Sequence, residues 1–147
     1  MKDPYLKPVI FGGLLITLLS LVFSIGIFLW AIVGGYIAVR LANKITKEAI
    51  SYMDGIILGT LSGIVGSTCL DLLTMISFSD PYNRKLLINT IEKNWPKEVS
   101  VPNLSESLPS LFVTTCFLII IITIVFSVLG GCLGVLLSKK QNKNLDF

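Results

Sequence analysis

Three long stretches without a charged residue constrain this chain more than any other feature. Residues 8–39, 55–70 and 107–138 contain no Asp, Glu, Lys or Arg, and the chain is 14% charged, where a soluble domain has about 25%. A helix rises ~1.5 Å per residue and the hydrocarbon core of a bilayer is ~30 Å thick, so apolar runs of this length are typical of membrane-spanning helices. The sequence therefore predicts an all-α integral membrane protein.

The first apolar run is too long for a single span. As one helix, residues 8–39 would reach ~48 Å, whereas two helices can form a tight hairpin that breaks near residues 24–26. We therefore predict one membrane domain over residues 1–147 with four transmembrane helices in two tandem hairpins. The predicted spans are approximately 8–24, 27–42, 53–78 and 108–138, and the predicted external loop is 79–107.

The distribution of basic residues predicts the orientation. Four spans place eight Lys and Arg residues on the side of the two termini and four on the other side, whereas three spans give six on each side. Cytoplasmic flanks of membrane helices are enriched in Lys and Arg. We therefore expect both termini to be cytoplasmic, in a multi-pass protein of the cell membrane.

Two pairs of segments resemble each other. VGGYIAVRLANK (33–44) is similar to LGGCLGVLLSKK (129–140), and FGGLLITLLS (11–20) is similar to MDGIILGTLS (53–62). This pattern favours an internal repeat in which the two hairpins lie parallel, related by an axis along the membrane normal. The alternative is that Gly-Gly pairs are simply common in membrane helices.

Small residues define one face of the third predicted span. Gly55, Gly59 and Gly63 are spaced by four residues, and Ser62, Gly66 and Cys69 extend the same face. Glycine has no Cβ and lets two helices approach closely, which matters in lipid because no hydrophobic force drives helices together. The facing surfaces are predicted at two glycines of the second span and three of the fourth, namely Gly34, Gly35, Gly130, Gly131 and Gly134. Use of these surfaces for oligomerisation is the alternative to packing within one chain.

Two aspartates interrupt the third span. Asp54 lies at its cytoplasmic start, where a carboxylate can accept hydrogen bonds from free backbone N–H groups. Asp71 lies ~26 Å further along, on a stripe with Thr60, Ser67 and Thr74 that is separate from the glycine face. An ionisable residue inside a membrane is a functional hypothesis, so this stripe is a candidate ion or proton pathway. The alternative is that Asp71 is an interfacial or helix-linking polar residue.

The composition argues against several kinds of chemistry. The chain has no His, and its three cysteines lack the CxxC spacing of a metal or redox site. Asp54-Gly55 followed by Asp71 is similar to part of the motif of CDP-alcohol phosphotransferases, but two of the four metal-binding carboxylates and the Ala-Arg pair are missing. We therefore expect no enzyme, no metal, no cofactor and no binding to nucleic acid.

The flanks of the last span give two local predictions. RKLLINTIEKNW (84–95) can form a short external amphipathic helix with Leu87, Ile91 and Trp95 along one face. The last helix is expected to have Ser107 as its N-cap and Pro109 in its first turn.

The runs LWAIVGGYIAVRL, DGIILGTLSGIVG and LGGCLGVLLSKK together resemble a loose group of small uncharacterised prokaryotic four-span membrane proteins with Gly-Gly motifs. No activity is known for that group, so the resemblance implies a fold and no functional residues. Our leading hypothesis is a non-catalytic scaffold or accessory membrane subunit, or a homo-oligomer, in contact with the lipid bilayer. The alternative is a minimal transporter or channel that uses Asp71.

Overall fold

The computed structural model of the chain describes residues 4–23, 26–47, 50–96 and 104–143, and within these ranges it is built of helices alone. The helices are α1 (Leu6–Val22), α2 (Ile27–Thr46), α3 (Tyr52–Ser79), α4 (Pro81–Asn94) and α5 (Leu104–Lys143). The prediction of an all-α protein is confirmed. Two residues at the predicted break in the first apolar run, Ser24 and Ile25, lie outside the described residues.

Three helices are long and apolar enough to cross a membrane: α2, α3 and the Glu106–Lys139 part of α5. This fits a helical membrane protein. The lengths of the helices do not by themselves support four spans, because α1 has only 17 residues and is therefore ~26 Å long. It is apolar but shorter than the ~30 Å hydrocarbon core.

Helices α1 and α5 both pack against α2 and α3. Contacts between side chains and backbone show the directions. Val9 of α1 pairs with Ser62 of α3 and Thr17 pairs with Gly66, so α1 and α3 run parallel. Phe28 and Asn43 of α2 contact Phe126 and Ser138 of α5 in the same order, so α2 and α5 also run parallel.

Successive helices of the bundle run in opposite directions. Gly55 of α3 lies at Gly131 of α5, whereas Gly63 lies at Ile124, so α3 and α5 are antiparallel. The starts of α1 and α3 and the ends of α2 and α5 therefore lie together. We call this the basic end of the bundle, because it carries Lys7, Lys47 and Lys139. The opposite end is the α4 end.

The two resembling segment pairs behave differently in the structure. In the pair 33–44 and 129–140, Asn43 bonds to Ser138, 95 positions away, close to the sequence alignment offset of 96. In the pair 11–20 and 53–62 the helices are shifted, since Val9 pairs with Ser62, 53 positions away, against an alignment offset of 42. The two parallel pairs are thus both adjacent, but only α2 and α5 pack near the register of the repeat.

A capping box begins α3. The Ser51 side chain accepts a hydrogen bond from the Asp54 backbone N–H at 3.2 Å, and the Asp54 carboxylate accepts from the Ser51 N–H at 3.3 Å and from the Ser51 hydroxyl at 2.7 Å. The predicted capping role of Asp54 is therefore confirmed, with Ser51 as the N-cap. The carboxylate also complements the positive end of the helix dipole.

The region around α4 confirms one prediction and corrects another. The predicted short helix over 84–95 is present as α4, on which Ile88 and Ile91 are half-buried and Leu87 is 43% exposed, and Trp95, directly after the helix, is half-buried. Helix α5 begins at Leu104, so Ser107 and Pro109 lie inside it and Ser107 is not its N-cap. The earlier start places Glu106 in the first turn, where a carboxylate is favoured by the helix dipole.

Candidate functional site

Close backbone contacts join α3 to α5. We call Gly55, Gly59 and Gly63 the glycine seam. A Cβ atom on Gly59 would lie 2.6 Å from the carbonyl oxygen of Ser127, and one on Gly63 would lie 2.8 Å from the Cα of Ile124. These distances are shorter than a van der Waals contact, so only glycine fits at this separation of the two helices.

Three helices meet at Ser127. Gly35 of α2 approaches the carbonyl oxygen of Ser127 from one side, and Gly59 of α3 approaches it from another. We call these three residues the Ser127 junction. Ser127 is 0% exposed, and its hydroxyl makes no hydrogen bond within the part of the chain that the structure describes. The junction therefore fills the centre of the α2, α3 and α5 packing with backbone atoms.

Other small residues of α3 turn toward α1. The Ser62 hydroxyl donates to the Val9 carbonyl at 3.3 Å, and the Thr17 hydroxyl of α1 donates to the Gly66 carbonyl at 3.2 Å. The predicted single face of small residues is thus divided between two neighbouring helices. Cys69, predicted at the end of this face, is only half-buried.

The glycine pairs of α2 and α5 also face two directions each. Gly34 lies against Ile16 of α1, whereas the neighbouring Gly35 lies against α5. In α5, Gly130 lies against Ile32 of α2, and Gly131 lies against Gly55 of α3. Each Gly-Gly pair therefore lets its helix pack closely on two partners at one level. The remaining glycine, Gly134, lies against Val39 and Tyr36 of α2.

Sequence reasoning missed a hydrogen-bonded link at the basic end. The Asn43 side chain of α2 donates to the Ser138 hydroxyl of α5 at 2.7 Å and accepts from the Ile50 backbone N–H at 3.1 Å. The Ser138 hydroxyl in turn donates to the Gly134 carbonyl at 2.8 Å. Asn43 therefore ties α2, α5 and the chain segment before α3 together. A lone Asn between an apolar span and a lysine gave no signal of this role.

Asp71 lies on the side of α3 that faces α5. Its carboxyl group is next to the thiol of Cys116, and its Oδ1 atom is buried without a hydrogen bond among the described residues. The prediction that Asp71 lies on a separate face from the glycine seam is therefore wrong. Gly55, Gly59 and Gly63 contact α5 at intervals of four residues, and Asp71, eight residues after Gly63, contacts α5 at Cys116. Because one turn of an ideal helix takes 3.6 residues, positions four apart do not lie exactly above one another, and the line of contact with α5 drifts around α3 until it includes Asp71.

The predicted polar stripe does not connect to Asp71. Its three hydroxyl groups donate to backbone carbonyls of their own helix: Thr60 to Ile56 at 2.8 Å, Ser67 to Ile64 at 3.1 Å and Thr74 to Leu70 at 2.8 Å. Ser67 is buried, whereas Thr74 is exposed. These residues share a helix with Asp71, but no hydrogen bond in the described segments makes them a relay. Such bonds within a helix are the ordinary role of Ser and Thr in apolar spans.

The remaining features offer little chemistry. A groove of about 150 Å³ at the basic end is lined by Tyr5, Asp54, Ile57, Leu58 and Leu61, and its one carboxylate already caps α3. Across the described ranges, no three His, Cys, Asp or Glu side chains lie close enough to hold a metal ion. The absence of a metal or cofactor stays a prediction. Comparison of the chain with protein-family models, curated proteins and solved structures gives no match.

Proposed function

We propose that this protein is a four-span, non-catalytic membrane protein. It acts as a scaffold or accessory subunit for other proteins, or assembles as a homo-oligomer. The direction of α1 supports the fourth span. It runs antiparallel to α2 and parallel to α3, as a crossing segment in this position must. A helix of ~26 Å can cross a bilayer that thins locally, or with flanking side chains that reach the interface.

The charges at the two ends support a cytoplasmic location of both termini, in the cell membrane. At the basic end the basic residues whose side chains the structure describes are exposed, and Asp54 is the one acidic residue among the described helix termini there. These basic residues are Lys7, Arg40, Lys44, Lys47 and Lys139. The α4 end mixes both signs, with Asp80, Arg84, Lys85, Glu92, Lys93 and Glu106. Membrane proteins place the more basic side in the cytoplasm.

The Ser127 junction is the observation that carries the non-catalytic proposal. Backbone atoms of three helices meet there without room for a Cβ, so the junction itself leaves no space for a substrate. Small residues bring the helix backbones of such a bundle into direct contact. In contrast, α5 has a largely exposed apolar surface, with Phe117 63% and Ile121 55% exposed. Close packing inside and an open apolar surface suit a protein that holds other membrane helices.

Native mass spectrometry of the tagged protein, purified gently from its own membrane, tests this proposal. A defined complex with another protein would support the accessory role and identify the partner. A homo-oligomer would support the self-assembling form. A monomer alone, with lipid retained but no protein partner, would contradict the proposal.

One observation favours a second candidate, a minimal transporter or channel. The Asp71 carboxyl group contacts the Cys116 thiol, but its buried Oδ1 atom lacks a hydrogen-bond partner among the described residues, and a buried polar atom without a partner is costly. A transported proton or cation would compensate this cost. Ion flux into proteoliposomes, measured for the natural protein and for Asp71→Asn, separates the two candidates. Flux that is lost in the variant supports transport, whereas equal or absent flux in both excludes a pathway through Asp71.

A further inference from the structure

Helix α2 carries a line of exposed cations. Arg40 and Lys44 are four residues apart, so they lie about 40° from each other around α2, and Lys47 is the C-cap residue that directly follows the helix. We call them the α2 basic stripe. All three are exposed, whereas Ala38 and Ala42 on the opposite side of α2 are 0% exposed. The stripe therefore points away from the bundle.

The charges of the stripe are not neutralised by the residues of the bundle that the structure describes. None of the three cations forms an ion pair with a carboxylate in the described segments. Arg40 is held by Tyr36, one turn earlier, because its Nη1 donates to the Tyr36 hydroxyl at 3.1 Å and its guanidinium lies 5.9 Å from the ring centroid. An arginine fixed in this way keeps further N–H donors available for a planar or tetrahedral anion.

The position of the stripe at the end of α2 indicates which class of anion it binds. It occupies the last two turns and the C-cap of a helix that is long and apolar enough to cross a membrane, and from Arg40 to Lys47 it extends ~10 Å along the axis. Ile45, which follows Lys44 in the chain and lies about 100° from it around the helix, is 43% exposed, so an apolar side chain reaches the surface at the level of the stripe. Tyrosine and exposed apolar side chains beside cations are typical of the headgroup layer. A soluble anion would not need the apolar border.

We propose that Arg40, Lys44 and Lys47 bind the phosphate groups of anionic phospholipids in the leaflet at the basic end. The inference depends on α2 crossing the membrane and is independent of the scaffold proposal. Each cation close to an anionic membrane surface strengthens binding about fivefold, so the three together account for about 100-fold.

Native mass spectrometry in detergent with added phosphatidylglycerol or phosphatidylcholine tests this inference. We expect phosphatidylglycerol to bind in preference, and the triple variant Arg40→Gln/Lys44→Gln/Lys47→Gln to bind it about 100-fold more weakly. The matched control, Arg84→Gln/Lys85→Gln/Lys93→Gln, removes three cations from α4 and should bind like the natural protein. Lys44→Arg/Lys47→Arg keeps the charges and should also retain binding.

Three outcomes would overturn the inference. One is equal loss of phosphatidylglycerol binding in the α4 control, which would indicate a general charge effect. Another is unchanged binding in the α2 triple variant, provided that its melting temperature in lipid-free detergent matches that of the natural protein. The third is displacement of the lipid by millimolar glycerol phosphate, which would indicate a site for a soluble phosphate.

Discussion

Gly59 of α3 lies directly against the carbonyl oxygen of Ser127 in α5, so that a Cβ atom on Gly59 would lie 2.6 Å from that oxygen. Gly35 of α2 approaches the same oxygen. These glycines therefore set the distance between three helix backbones. In lipid, where burial of apolar surface gives no advantage over contact with acyl chains, this close contact has to supply much of the stability of the bundle.

Gly59→Leu should disrupt the packing of α3 on α5. The obstacle is a backbone atom, which cannot move aside as a flexible side chain can, so we expect a loss of roughly 3 kcal/mol or more in the free energy of unfolding. Unfolding in mixed micelles of increasing SDS content, followed by circular dichroism, measures this loss. Size-exclusion chromatography would show the accompanying change in size.

Thr68→Leu is the matched control for Gly59→Leu. Thr68 is exposed on the same helix, and its hydroxyl donates to the Ile64 carbonyl of its own helix. The added side chain would therefore meet lipid, and stability should change little. If Gly59→Leu is as stable as this control, the close contact at Ser127 does not hold the bundle together.

Asn43→Ala should weaken the basic end of the bundle. The substitution removes a hydrogen bond to Ser138 and leaves the Ile50 backbone N–H, in a buried residue, without its acceptor. We expect a loss of about 1–3 kcal/mol in the free energy of unfolding. Hydrogen exchange should show faster exchange at Ile50 than in the natural protein.

Asn94→Ala serves as the comparison for Asn43→Ala. The side chain of Asn94 donates to the Thr90 carbonyl of α4 and is exposed, so its removal should cost little. Equal stability of the two variants would mean that the bonds of Asn43 do not link α2 to α5.

Asp54→Ala should destabilise the start of α3. It removes the carboxylate that accepts from the backbone N–H and hydroxyl of Ser51, and loss of such a capping interaction costs about 1 kcal/mol. Asp54→Asn keeps an acceptor at the same position and should lose less. The same SDS titration measures both variants, and an Asn variant less stable than the Ala variant would contradict the capping role.

Local patterns in the sequence were enough to predict some parts of this structure. Apolar length predicts the helical class, and Asp54 at the start of an apolar run predicts the capped start of α3, because both depend on residues within a few positions of each other. The tight contacts of the nine predicted glycines also follow a local rule, since a residue without a Cβ is favoured where two helices approach closely.

Features that depend on which helix lies opposite could not be predicted. The face occupied by Asp71 depends on how the line of contact with α5 drifts along α3, and an ideal straight helix misplaced it. The link from Asn43 to Ser138 joins residues 95 positions apart, which only the packing of α2 on α5 brings together. The length of α1 depends on where the chain turns after Val22, and the weak Ser and Gly signal near that turn does not determine it.

The location of Lys7 relative to Lys47 tests whether α1 crosses the membrane. If both α1 and α2 cross the membrane, Lys7 and Lys47 lie on the same side of it. If only α2 crosses, the two lysines lie on opposite sides. In a background with Cys69, Cys116 and Cys132 replaced by Ser, Lys7→Cys and Lys47→Cys should both resist a membrane-impermeant maleimide on intact cells and react after permeabilisation. Asn89→Cys, on the exposed α4, should react without permeabilisation. Labelling of Lys7→Cys on intact cells, with Lys47→Cys still protected, would instead show a three-span protein.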